Sequence, residues 1–239
     1  GNDGYTDNFL CIRKAYLVKE NVDLVPDLSE EQKAIIKAEM QMLVAYRYTQ
    51  MFIMYGGVPI IPTAFPLTAL NDLETLNIPR ATLQAVSDSI VGWCDAAAQT
   101  LPSAWPAASL GRMTKSAALA IKAKALMYGA RPLFNSATPY MPMSGNEALI
   151  SFGSYDANRW NLAAQASEAV IQEAEGAGGL RIINTGNPLA DYGNATSTPS
   201  NKEVILAFKQ QVPSSGGAGP YNIFNVVNFH YQANGAVLS

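Results

Sequence analysis

Successive stretches of this chain carry apolar residues at helical spacing, and each is cut off by glycine, proline or a capping residue. That punctuation constrains the fold more than any other feature. Tyr55-Gly56-Gly57-Val58-Pro59 closes one stretch, because glycine can take the left-handed conformation that ends a helix and proline prevents its resumption. Gly111-Arg112-Met113-Thr114-Lys115 opens another, with Thr114 a good N-cap for the alanine-rich run Ser116–Tyr128.

The first helix is predicted over Tyr5–Glu20, with Phe9, Ile12, Tyr16 and Leu17 along one side. The second starts at a capping box of Ser29 and Gln32 and runs to about Met54, with Ile35, Met42, Tyr46, Thr49 and Ile53 tracing one stripe. A connector with Pro59, Pro62 and Pro66 follows, then polar Asn71-Asp72. The third helix spans Thr82–Leu101, with Val86, Ile90, Trp93, Ala97 and Leu101 on one face. The fourth spans Ser116–Gly129 through Ala118, Ile121, Ala125 and Tyr128; the short intervening loop makes antiparallel packing the default. A fifth, Arg159–Glu175, shows Trp160, Ala163, Ala164, Ser167, Val170 and Ile171, and Trp93 and Trp160 are read as core.

After Glu175 the character changes. Gly176–Gly179 break the helix, residues 184–200 read as loop, and Lys202–Phe208 reads as a short strand or extended segment. The fold class is mainly α, with a helical domain over residues 1–175 and a loop-rich, partly extended portion over 176–239. No repeat of roughly 34 residues with tetratricopeptide consensus letters is visible.

Composition narrows function by exclusion. The chain has 239 residues, 49% apolar and 15% charged, which is globular. Net charge is −3 and the basic residues form no stripe, so nucleic-acid binding has no electrostatic footprint. No apolar run reaches the roughly 18–20 residues of a membrane span. The chain opens at Gly1 rather than Met, read as a removed targeting segment or a fragment. Cys11 and Cys94 both fall on predicted helices and are read as buried free thiols.

A single histidine, His230, leaves no histidine-based triad and no multi-histidine zinc site. Neither cysteine neighbours a histidine in sequence, so a thiol nucleophile has no support. Asp3 and Asp7 lack the loop pattern of a calcium site and read as a solvated turn. No cofactor, metal or catalytic residue is expected.

Taken in order, the motifs resemble the SusD/RagB family of surface nutrient-capture lipoproteins. Tyr5…Phe9…Ile12-Arg13, Glu39…Leu43-Val44-Ala45, Tyr55-Gly56-Gly57-Val58-Pro59-Ile60 and Pro79-Arg80…Val86…Ile90 follow the family's order. So do Gly111-Arg112-Met113-Thr114-Lys115, Leu126-Met127-Tyr128…Pro132-Leu133-Phe134-Asn135, Trp160…Ala163-Ala164 and Glu203-Val204-Ile205. The family's Arg is Val44 here, with Arg47 one turn on, which predicts that its ion pair is moved or lost. The resemblance covers about Tyr5–Phe208. It implies tetratricopeptide-like helix pairs, a lipid-anchored region before them and a long loop-rich half after them.

The resemblance also implies non-enzymatic capture at the outer-membrane surface, with oligosaccharide (or, in RagB-like members, peptide) passed to a SusC-like TonB-dependent transporter. Membrane association would run only through a lipid anchor. Neutral sugars are held by aromatic faces and by amides that bond hydroxyls. Residues 221–232 hold both kinds, and Tyr221, Asn225, Asn228, His230 and Tyr231 are the candidate ligand contacts. The same residues also fit a strand with alternating buried aromatics. Trp105, Tyr140 and Tyr155 are second-rank candidates. The competing classes are a glycoside hydrolase or lyase on a helical scaffold and a tetratricopeptide-type protein adaptor.

Overall fold

Helix α1 (Tyr5–Asn21) lays Ile12, Ala15 and Tyr16 against α2 (Glu30–Tyr55) in a computed structural model that describes residues 4–66, 73–198 and 201–207. The described residues fall in one unit, Gly1–Ala207. Then come the short α3 (Leu73–Leu76), α4 (Leu83–Ala98), α5 (Lys115–Ala130), α6 (Asn158–Glu175) and α7 (Pro188–Ser197). No strand occurs among the described residues. The long helices form tetratricopeptide-like antiparallel pairs in chain order, α1 with α2, α2 with α4, α4 with α5 and α5 with α6, and α2 also touches α5. No helix among the described residues is long and apolar enough to cross a membrane.

Local chemistry sets the helix starts. The Ser29 hydroxyl accepts from Gln32 N at 3.2 Å while Ser29 N donates to Gln32 Oε1 at 2.8 Å, completing the capping box. Thr82 and Thr114 cap α4 and α5 through Ala85 N and Ala117 N, each at 3.2 Å. Helix α2 is the central one. Helices α1, α4 and α5 all touch it, so it buries more than the single stripe predicted; Val44, Ala45, Tyr48, Met51 and Phe52 are inaccessible alongside Met42. Helix α5 is lined by small residues on several sides (Ser116, Ala117, Ala118, Ala123, Ala125, Gly129), which lets three helices approach it closely.

Three segments meet where α2 ends. Gly56 takes φ 75°, a left-handed value that glycine adopts without strain. Gly57 N donates to Leu149 O at 2.7 Å and Ala81 N to Val58 O at 3.1 Å. A Cβ on Gly56 would stand 2.4 Å from Leu149 O, and one on Gly57 2.1 Å from Ala81 O. Arg80 then closes the junction, donating to Gly57 O at 2.7 Å and Tyr55 O at 2.8 Å. These are carbonyls that the end of a helix leaves without intrahelical partners. Beneath them the buried Tyr48 hydroxyl donates to Pro59 O at 3.1 Å and accepts from Ile61 N at 2.8 Å. The glycines of this motif are thus required by backbone meeting backbone.

Some expectations need correction. Residues 184–200, read as loop, contain α7. Asn187 caps it through Ala190 N at 3.3 Å, Pro188 occupies its first turn, and Asp191 accepts from Thr185. The residues that suggested a loop are the ones that start this helix. Lys202–Ala207 forms turns and bends rather than strand, with Asn201 bonding back to the end of α7; Phe208 lies outside the described residues. Trp93 does pack on the core, its ring centroid 5.0 Å from that of Tyr48. Trp160 does not, and is 42% exposed. The inward register of α6 is set by Ala163, Ala166 and Ala174, and at about 100° per residue it places Arg159 inward and Trp160 at the flank. Cys11 is half-buried and Cys94 buried, both free; burial and the neighbouring Asp95 push the Cys94 thiol up to about 12.

The glycine junction separates two otherwise similar substitutions. Gly57→Ala is expected to cost about 2–4 kcal/mol, since a backbone carbonyl would have to move. Gly92→Ala, mid-α4 with nothing within 4 Å of the new Cβ, is expected to add about 0.5–1 kcal/mol. Urea-unfolding midpoints of the two variants check both signs.

Candidate functional site

The motif that opens α5 is a structural clamp. Arg112 donates from Nε to Glu39 Oε1 at 3.0 Å and from Nη2 to Glu39 Oε2 at 2.6 Å, a two-point fork onto α2. Its guanidinium lies 3.9 Å from the Trp105 ring centroid, and Trp105 Nε1 donates to Met113 O at 2.8 Å. Trp105, a second-rank ligand candidate, is therefore occupied in holding this loop. Val44 is fully buried, Glu39 is met by Arg112, and Arg47 donates to the neutral Asn8 and Gln50 at 3.4 and 3.2 Å. Lys115 extends the clamp to α6, its Nζ 2.9 Å from Glu173 Oε2. The Ser103 hydroxyl, first, and Lys115 hold the Glu173 carboxyl below its ordinary value of 4.5.

A hollow of about 440 Å³ lies between α2, α5 and residues 203–206. Ala117, Ala120, Ile121 and Val204 make its walls apolar; Tyr46, Thr49, Gln50, the exposed Lys124 and Glu203 supply its polar groups. Among the described residues no group of three or more His, Cys, Asp or Glu side chains could hold a metal ion.

The connection from α5 to α6, residues 131–157, has a different character. It is long, yet tightly tied. The buried Asn135 side chain donates to Asp156 O at 2.9 Å and accepts from Asp156 N at 2.8 Å, as a paired backbone would. Phe152 N donates to Phe134 O at 3.0 Å, and the Ser151 hydroxyl bonds Ser136 O at 3.0 Å. Phe134 packs against Phe52 of α2 with ring centroids 5.2 Å apart and planes tilted by 56°, so the Pro132-Leu133-Phe134-Asn135 motif pins the loop to the core. On this rigid connection Tyr140 is 56% and Tyr155 61% exposed. Trp160 follows one turn later, at the start of α6. The candidate contacts Tyr221, Asn225, Asn228, His230 and Tyr231 lie outside the described residues.

The described residues thus form a paired-helix scaffold with exposed aromatic side chains on hydrogen-bonded connections. Residues 2–127 match the SusD-like family, described as starch-binding and associating with the outer membrane, and the chain belongs to that family. The family is one of carbohydrate-binding proteins and not of enzymes. No curated protein matches the chain. Among solved structures, BT4246 shares 27% identity at a TM-score of 0.65, over 74% of this chain and 31% of its own. The SusD-like protein BF3747 from Bacteroides fragilis NCTC 9343 shares 20% identity at a TM-score of 0.66, over 89% of this chain and 34% of its own. A laminarin-binding SusD-like protein shares 20% identity at a TM-score of 0.62, over 86% and 37%. The last two likenesses concern the fold alone. The chain thus spans about a third of the length of these structures.

Arg112→Ala is expected to cost about 1–2 kcal/mol, toward the lower end because its side chain is 39% exposed and solvent screens the pair. Arg112→Lys is expected to recover little, since lysine has neither the fork nor the stacking face; urea unfolding of both variants checks this. Glu173 carries a pH signature. Its folded carboxyl titrates below its unfolded value, so its stabilisation is complete above about pH 4.5 and is lost as pH falls through the folded value. Glu173→Gln is expected to lower stability near neutrality and to flatten the acid limb, as measured by unfolding between about pH 7 and pH 3.

Proposed function

We propose that this chain is the helical part of a surface protein that captures oligosaccharide and hands it, unaltered, to a SusC-like TonB-dependent transporter. The observation that carries the reading is the match of residues 2–127 to a starch-binding, outer-membrane-associated family. The physical character of the described residues supports it. Capture for delivery needs a rigid frame, ligand-holding loops and reversible binding, and the helix pairs with their clamped junctions supply the frame. Affinity on the order of micromolar, about −8 kcal/mol, would hold ligand without trapping it.

In this reading a lipid anchor upstream of the helices holds the protein at the cell surface. Residues 1–175 form the scaffold, and ligand-binding loops begin within 176–239. Tyr221, Asn225, Asn228, His230 and Tyr231 are proposed as sugar contacts, and peptide is the alternative cargo.

The test is a binding screen of the full-length protein against starch, laminarin and other polysaccharide fragments, with a peptide library in parallel. A glycan hit with no new reducing ends on prolonged incubation is the expected result. Sustained release of reducing ends would replace capture by hydrolysis. Binding of peptides alone would move the cargo to that class.

A further inference from the structure

Helix α1 touches one long helix, α2, whereas α2, α4 and α5 each touch at least two. Its inward side is narrow. Asn8, Ile12, Ala15 and Tyr16 are buried, while Leu10, Leu17 and Val18 stand open to solvent. A second hold on α1 comes from the connector that leaves α2. The fully buried Tyr48 fixes the near end of that connector through Pro59 O and Ile61 N. Its far end is bonded to α1. The exposed Glu20 accepts through Oε1 from the Thr63 hydroxyl and from Ala64 N, the latter at 3.1 Å, and Arg13 Nη2 donates to Phe65 O at 3.2 Å. Arg13 and Glu20 stand about two turns apart along α1, which puts both on one side of the helix. Among the described residues, these two side chains supply the hydrogen bonds of residues 63–65.

We propose that α1 and residues 63–65 form a clasp that opens and closes as one unit, apart from the frame of α2, α4 and α5, with Glu20 as its latch. Each half depends on the other. When α1 lifts, the Ala64 amide and the Phe65 carbonyl lose their partners. Ala64 is buried, so its amide meets water only if the segment moves too. When residues 63–65 lift, α1 loses the ties made by Arg13 and Glu20. The polar ties to α2 that are then left, among the described residues, are Lys19 to Gln41 and Asn8 to Arg47, the second long at 3.4 Å. Proteins open locally in cooperative units below the global unfolding free energy, and elements with few packed neighbours belong to the units that open first. The Tyr48 anchor stays with the frame and serves as the pivot. This device is independent of what the protein captures.

Hydrogen exchange read by mass spectrometry on the full-length protein at one neutral pH tests the clasp, comparing wild type with Glu20→Ala and Arg13→Ala. Each variant is expected to raise exchange about fivefold to tenfold in peptides from α1 and in those holding residues 63–65, by equal factors. Exchange in α4 and α5 is expected to stay at the wild-type rate, and helical circular dichroism to be retained. Glu20→Gln, which keeps an acceptor oxygen without the charge, is expected to show a smaller rise in the same two segments. A rise confined to residues 63–65 overturns the clasp, because the contact is then a surface bond with no effect on the helix. A rise in α1 alone, or no rise in either segment, overturns it as well. Equal rises that extend to α4 and α5 place the effect in global unfolding and overturn it too.

Discussion

Backbone meets backbone at Gly56 and Gly57, and the arrangement of the scaffold follows from that contact. A helix that ends inside a protein leaves carbonyls to satisfy and a direction for the chain to take. Here Arg80 reaches the two exposed carbonyls, Leu149 O receives the Gly57 amide, and Val58 O receives the amide of Ala81. The end of α2, the approach to α4 and the connection before α6 are thereby held at one point. Neither glycine has room for a methyl group, so that point tolerates no ordinary residue.

A second fixed point lies where α5 begins. The Arg112 fork reaches α2 through Glu39, Thr114 caps α5, and Lys115 reaches α6 through Glu173. One short motif therefore addresses three helices. Buried Asn135 does comparable work for the α5–α6 connection, replacing a missing stretch of paired backbone with one side-chain amide. With these junctions closed, alanine-lined faces suffice to pack the helices, because close approach stands in for large side chains.

Helix positions were largely legible because their causes are local. Ser29 with Gln32, Thr82 and Thr114 announce helix starts through bonds that span three residues, and the Gly-Gly-Val-Pro exit announces an end. The same logic, carried through, would have found α7, since Asn187-Pro188 is a helix start written in loop-forming residues. The phase of α6 was harder to read. Alanines occupy so many of its positions that composition does not single out an inward face, and a tryptophan drew the reading to the wrong side.

From residue order alone came the five long helices, their caps and breaks, the pairing of neighbours and the family that the motifs resemble, all governed by interactions a few residues long or by the order of such motifs along the chain. Contact across distant segments was needed to learn that Trp105 braces an arginine, that Glu39 finds Arg112 rather than a partner on its own helix, and that Trp160 faces water. Those outcomes depend on which surfaces meet when α2, α5 and α6 come together. A side chain's role is set by what lies opposite it, and one-dimensional spacing carries no record of that neighbour.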